Sequence, residues 1–115
     1  MKVIKRDGRE VPFDKEKIVA AVTAANRSIP EKYRMNDAEI QLFAICAERD
    51  LEKLGRSVHV EEVQDEIIGA LADAGEIRLM MCYSEYRYKH ELLRKQNSTD
   101  AKILSLLRHE LLGGG

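Results

Sequence analysis

Short stretches of β-prone residues open the chain, and from residue 18 onward apolar positions recur every three or four residues, which predicts a small strand region followed by helices. Val3-Ile4-Lys5-Arg6 and Arg9-Glu10-Val11-Pro12-Phe13 flank Asp7-Gly8, a dipeptide favouring a type I′ hairpin turn in which both central residues take positive φ. Pro12 offers no N–H to a ladder, so it suits the end or outer edge of a strand. Asp14 can cap a helix over about 15 to 28, with Ile18, Ala21, Val22, Ala25 and Ile29 at helical spacing and Pro30 ending it. Asn36 and Glu39 make a capping-box start for a second helix carrying Ile40, Phe43, Ala44, Ala47, Leu51 and Leu54, closed by Gly55. Ser57-Val58-His59-Val60 is short and β-prone and can add a third strand, since a lone hairpin is marginal in water.

Val63, Ile67, Ile68, Leu71 and Ala72 mark a third helix stopped near Gly75. From Ile77 to about Gln96, Leu79, Met80, Tyr83, Tyr86, Tyr88, Leu92 and Leu93 describe a long fourth. Ser98 or Thr99 can cap a last helix, apolar at six of the ten positions from 103 to 112, which predicts that it packs on this core or on a partner. Gly113-Gly114-Gly115 reads as a frayed end or linker stub.

A chain of 115 residues supports one core without disulfide staples and excludes a large enzyme. No apolar run approaches the ~18 residues of a spanning helix, and the start lacks a signal peptide, so a soluble, cytoplasmic protein off the membrane is expected. Nineteen Lys and Arg face twenty Asp and Glu, for a net charge of -1. Their distribution is uneven: residues 1 to 18 carry +2, 19 to 75 carry -5, and 76 to 115 carry +2. The two basic ends would share an anion site if the fold joined them; otherwise they are solvated faces. Cys46 and Cys82, with no Cys-x-x-Cys spacing, read as small buried apolar residues, and His59, His90 and His109 share no ligand spacing.

The phosphate-cradling loops Gly-x-x-x-x-Gly-Lys-Ser/Thr and Gly-x-Gly-x-x-Gly are absent, and no nucleophile, base and orienting group stand at a usable spacing, so catalysis is not expected. What the chain offers is Lys5, Arg6 and Arg9 around a tight turn, with Lys17 one turn into the helix that follows. Strand alternation sends Lys5 and Arg6 to opposite faces, so only an edge-on ligand would meet both. Phe13 and Ile18 add apolar surface beside Lys17, giving cations for a phosphate and a flat wall for a purine. On spacing alone the same residues also make a hydrophilic hairpin turn, Tyr83, Tyr86 and Tyr88 also suit a helix core and rim, and Gln64 also suits an exposed helix face.

Taken in order, Val3-Ile4-Lys5-Arg6-Asp7-Gly8, Val11-Pro12-Phe13-Asp14, Lys17-Ile18, Val63-Gln64-Asp65 and Tyr83-Ser84-Glu85-Tyr86-Arg87 closely resemble the ATP-cone domain, the regulatory nucleotide-binding module of ribonucleotide reductases. The segment from Tyr86 through Arg94-Lys95 to Ile103 looks like the helical connection after the cone in anaerobic ribonucleoside-triphosphate reductases. The resemblance implies an α+β fold: a mainly helical bundle capped by a small three-stranded sheet that includes the N-terminal β-hairpin. It also implies an ATP-cone domain over 1–92 and a helical extension or linker over 93–115. The implied ligand is ATP or dATP, with Mg2+ accompanying the phosphates, ATP favouring activity and dATP suppressing it. By position, Lys5 and Arg6 meet phosphates, Lys17 binds phosphate from the first helix, and Val3 and Val11, Pro12, Phe13, Asp14 and Ile18 run beside the nucleotide. Val60 and Gln64 fall at the base or ribose side, Arg87, Lys89 and His90 compete for one further phosphate or ribose contact, with Lys89 favoured, and Tyr86 is a candidate surface for the base.

The expected partners are therefore an adenine nucleotide, a ribonucleotide reductase catalytic domain or subunit, and a second copy in a homo-oligomer, and the chain is a non-catalytic fragment of such an enzyme or a free-standing sensor. Two rivals stand beside this. One is a nucleotide-responsive transcriptional regulator of reductase genes, whose family places a four-cysteine zinc ribbon before the cone, whereas here the signature begins at Val3. The other is a degenerate cone kept as an assembly module.

Overall fold

The computed structural model describes residues 1–96; the helix expected after Ser98 lies outside them. Strands β1 (Lys2–Ile4) and β2 (Glu10–Pro12) pair antiparallel, with Val3 opposite Val11 and Lys2 opposite Pro12. Strand β3 (Val58–His59) joins β1 in parallel, with Val3 opposite Val58, so β1 is central and the Pro12 strand is an outer edge. The turn differs from the type I′ expectation. Only Gly8 takes a positive φ, at 88°, and the Gly8 N–H donates to the Lys5 carbonyl at 2.9 Å while Lys5 N–H donates to Arg9 C=O at 2.8 Å. This is a three-residue loop, a type I turn followed by a left-handed glycine, and Asp7 keeps a negative φ.

Helix α1 (Lys15–Asn26) starts where Asp14 Oδ1 accepts the Glu16 N–H at 3.0 Å. A short 3-10 turn, Glu31–Tyr33, leads to α2 (Asp37–Glu52), whose capping box joins Asn36 and Glu39 by bonds of 2.8 and 3.0 Å. Helix α3 (Val60–Asp73) follows β3 directly, so Val60 opens a helix rather than ending a strand. Glu62 Oε1 accepts the His59 N–H at 3.0 Å and fixes that start. Helix α4 spans Ile77–Gln96. The chain forms two compact units, Met1–Ser84 and one beginning at Glu85.

Within the first unit, the stripes read from the spacing close on one another. Ile18, Val22 and Ala25 of α1 pack with Ile40, Phe43, Ala44 and Ala47 of α2, Ile67 and Leu71 of α3, and Leu79 and Tyr83. Each large aliphatic side chain so removed from water contributes about 1.5 to 3 kcal/mol of transfer free energy. Buried Asn26 is the polar clasp of this core: its Nδ2 donates to the Met35 carbonyl at 2.8 Å and its Oδ1 accepts the Met35 N–H at 2.9 Å. The cysteines depart from expectation. Cys46 is exposed, and Cys82 is half-buried with its Sγ 3.4 Å from the Ala25 carbonyl, because α2 turns Cys46 outward toward α3 rather than into the core.

Candidate functional site

The hairpin, the start of α1 and the start of α3 together enclose a cleft of about 110 Å3. Strand β1 brings Val3 and its exit brings Lys5, strand β2 and its exit bring Val11, Pro12, Phe13 and Asp14, α1 brings Lys17 and Ile18, and α3 brings Val60 and Val63. Nine of these ten lining residues are candidates from the sequence, and the tenth, Val63, sits one turn after Val60 on the same helix face. Its walls are chiefly apolar, with the two lysines as the only cations among the lining residues. Neither Lys5 nor Lys17 has a carboxylate at ion-pair distance among the described residues. An anion entering the cleft meets two cationic groups that no ion pair has already neutralised.

The three basic residues of the turn go to different places. Lys5 lines the cleft. Arg6 does not line the cleft: it lies in the turn beyond the end of β1, with its Nε 3.0 Å from Glu61 Oε1 at the first turn of α3. Arg9 closes onto Asp7, with Nε 2.6 Å from Oδ2 and its backbone N–H donating to Oδ1 at 3.0 Å. That backbone bond, helped by the guanidinium, holds the Asp7 carboxyl below its ordinary range. The clip stiffens the loop that positions Lys5.

Gln64 does not line the cleft, but its Oε1 is buried without a hydrogen-bond partner among the described residues, four residues after Val60. An acceptor left in that state costs about 1 to 3 kcal/mol. Tyr86, Arg87, Lys89 and His90 belong to the second unit, where the Tyr86 and His90 rings lie 4.1 Å apart and Arg87 Nε is 3.5 Å from Glu91. Nothing in the sequence pairs Glu61 with Arg6; its only trace there is an acidic residue in the first turn of a helix.

A larger groove of about 640 Å3 runs between α2 and α3. It is lined by Glu39, Asp50, Glu66, Asp73 and Glu76 and by no lysine or arginine, so it repels the anions that the smaller cleft attracts. Burial, aided by a hydrogen bond with Asp50, pushes the Glu66 carboxyl up to about 7. No group of three or more His, Cys, Asp or Glu among the described residues is placed to hold a metal ion. None of the described helices is long and apolar enough to cross a membrane.

Fold and cleft together define a small α+β domain with two lysines and an apolar wall on one cleft. The profile of the ATP cone domain matches residues 1–92, and the chain belongs to the ATP-cone family, a regulatory and non-catalytic nucleotide-binding module. It is similar to the ribonucleoside-diphosphate reductase subunit alpha of Treponema pallidum (strain Nichols), 32% identical over 118 aligned residues covering 94% of this chain and 14% of that protein. It is also similar to the vitamin B12-dependent ribonucleoside-diphosphate reductase of Mycobacterium tuberculosis (strain ATCC 25618 / H37Rv), 35% identical with 96% and 14% covered. The transcriptional repressor NrdR of Rhodopseudomonas palustris (strain BisB18) is 30% identical over 89 residues, 74% of this chain and 53% of the repressor. The chain thus spans a small part of the reductases and about half of the repressor that it matches.

Proposed function

We propose that this domain binds ATP and dATP in the hairpin cleft and uses their occupancy to control a ribonucleotide reductase catalytic domain or subunit. The observation that carries the reading is the joint placement of Lys5 and Lys17, both without an ion pair among the described residues, on a cleft otherwise walled chiefly by apolar residues that include Val3, Phe13, Ile18 and Val60. At about 110 Å3 the cleft is smaller than the ~300 to 1,000 Å3 of a pocket for a drug-sized ligand. It suits partial enclosure, with the flat base against the apolar wall and the phosphates outside along the lysines. The orphan acceptor on Gln64 suits a donor from the base or ribose side.

Micromolar affinity requires about -8 kcal/mol. Two charge-assisted contacts supply about 1.5 to 3 kcal/mol each, against several lost on association, so burial of the base has to supply the remainder. Asp14 is the one carboxylate lining the cleft, and its Oδ1 is committed to capping α1. Magnesium would therefore enter on the phosphates of the ligand, not on a site prepared by the chain.

Discrimination between ATP and dATP rests on one ribose hydroxyl, so the two ligands must stabilise different states of this domain against its partner. Isothermal titration of the chain with ATP and with dATP is the direct test. Saturable heat with both supports the reading, and no heat up to millimolar ligand refutes it, leaving the cone as an assembly module. The likeness to NrdR repressors favours a second reading, a nucleotide-dependent DNA-binding regulator. Retention of reductase-promoter DNA only in the presence of nucleotide would establish that alternative.

A further inference from the structure

The Arg6–Glu61 pair sits at the edge of the cleft. Arg6 directly follows the lining residue Lys5, and Glu61 directly follows the lining residue Val60, so the pair ties together the neighbours of two cleft walls that belong to different elements. Both side chains are partly open to solvent, 36% exposed for Arg6 and 44% for Glu61. An ion pair this open is weak and exchangeable. Glu61 also has a place without Arg6: it lies in the first turn of α3, where the helix dipole favours a carboxylate.

A guanidinium accepts a phosphate in place of a carboxylate with the same fork of donors. Polyanionic phosphates held at Lys5 and Lys17 attract Arg6 and repel Glu61 in one stroke. We propose that Glu61 is a built-in competitor for the ligand's phosphate tail: Arg6 leaves the Glu61 carboxylate for a phosphate when a nucleotide occupies the cleft, and Glu61 is released at the start of α3. This inference rests on the nucleotide reading above. It adds a residue that lowers affinity, and it gives occupancy a local consequence, an uncompensated carboxylate on α3 that exists only in the bound state. Binding energy spent on separating the pair sets the nucleotide concentration at which the domain responds.

A double-mutant cycle on the 1–115 chain tests the exchange, using ATP as the titrant in a calorimeter. Glu61→Gln removes the competitor and is expected to tighten ATP binding by about threefold to fivefold. Arg6→Ala is expected to weaken it. In the Arg6→Ala background, Glu61→Gln retains only the loss of general repulsion, and its gain is expected to fall below about twofold. Circular dichroism melts of all three variants check that the fold is intact. The inference is overturned by a gain from Glu61→Gln that is absent in the parent chain or equal in both backgrounds. If ATP binds the parent and Lys17→Ala weakens it but the cycle shows no coupling, this inference alone fails. If the parent binds no ATP, the nucleotide reading fails and this one with it.

Discussion

Replacing Lys17 by alanine separates binding from folding more cleanly than any other change at the cleft. Lys17 is the third residue of α1, exposed, lining the cleft and without an ion pair among the described residues. Alanine is the best helix former, so α1 keeps its propensity, and Asp14 still caps it. Folding stability should stay within about 0.5 kcal/mol of the parent. Binding should not. If Nζ makes one charge-assisted contact with a phosphate, its loss costs about 1.5 to 3 kcal/mol, a rise of roughly 10- to 150-fold in Kd. Lys17→Arg should recover part of that, because it restores the charge but not the point geometry. The assay is calorimetric titration with ATP at low and at high salt, paired with thermal melts. Added salt should weaken the parent more than the alanine variant, since the contact that screening affects is gone. An unchanged Kd in Lys17→Ala, with an unchanged melt, would refute the placement of phosphate at this lysine.

Two further outcomes follow from the core and the groove. Asn26→Leu strips partners from the partly buried Met35 N–H and C=O and should cost about 2 to 4 kcal/mol, lowering the melting temperature by about 10 °C or more without shifting the secondary-structure spectrum; a melt within a few degrees of the parent would contradict the clasp. Glu66 has its folded pKa raised to about 7, chiefly by burial, above the 4.5 of a free side chain, so the folded state holds this proton more tightly than the unfolded state. Its contribution to stability is therefore present below about pH 4.5 and lost as pH rises toward 7. Glu66→Gln should flatten that part of the stability profile in melts across this range, and an unaltered slope would show that Glu66 does not titrate there.

Much of this molecule can be read from local chemistry. Asp14 and the Asn36 and Glu39 pair declare helix starts because caps act over three residues, and the i to i+4 apolar stripes of α1 and α2 name Ile18, Val22, Ile40 and Phe43 as core before any contact is known. Lys5 and Arg6 do part as expected, Lys5 to the cleft and Arg6 to Glu61, but the turn separates them and not strand alternation, since β1 ends at Ile4. The failures are equally physical. Asp7-Gly8 suits two turn types, and the tie between Lys5 and Arg9 selects the three-residue loop that needs a single positive φ. The β-branched Val60 suits the end of a strand, but the bond from His59 N–H to Glu62 starts a helix there, and His59, unlike Asp14 or Asn36, is not a residue type that marks a helix start. The general habit of its residue type puts Cys46 inside, whereas helix phase turns it outward. Val63 in the cleft and Glu61 against Arg6 depend on how α3 packs beside the hairpin, which no local pattern encodes.

Backbone-amide NMR of the chain during a titration with ATP addresses the site and the ligand together. Saturable shifts gathered on Val3, Lys5, Phe13, Lys17, Ile18, Val60 and Val63, with the groove residues Leu42, Cys46 and Gly69 unmoved, are the predicted result. Shifts confined to the groove, or none in the hairpin and the first turn of α1 at millimolar ATP, would contradict the account.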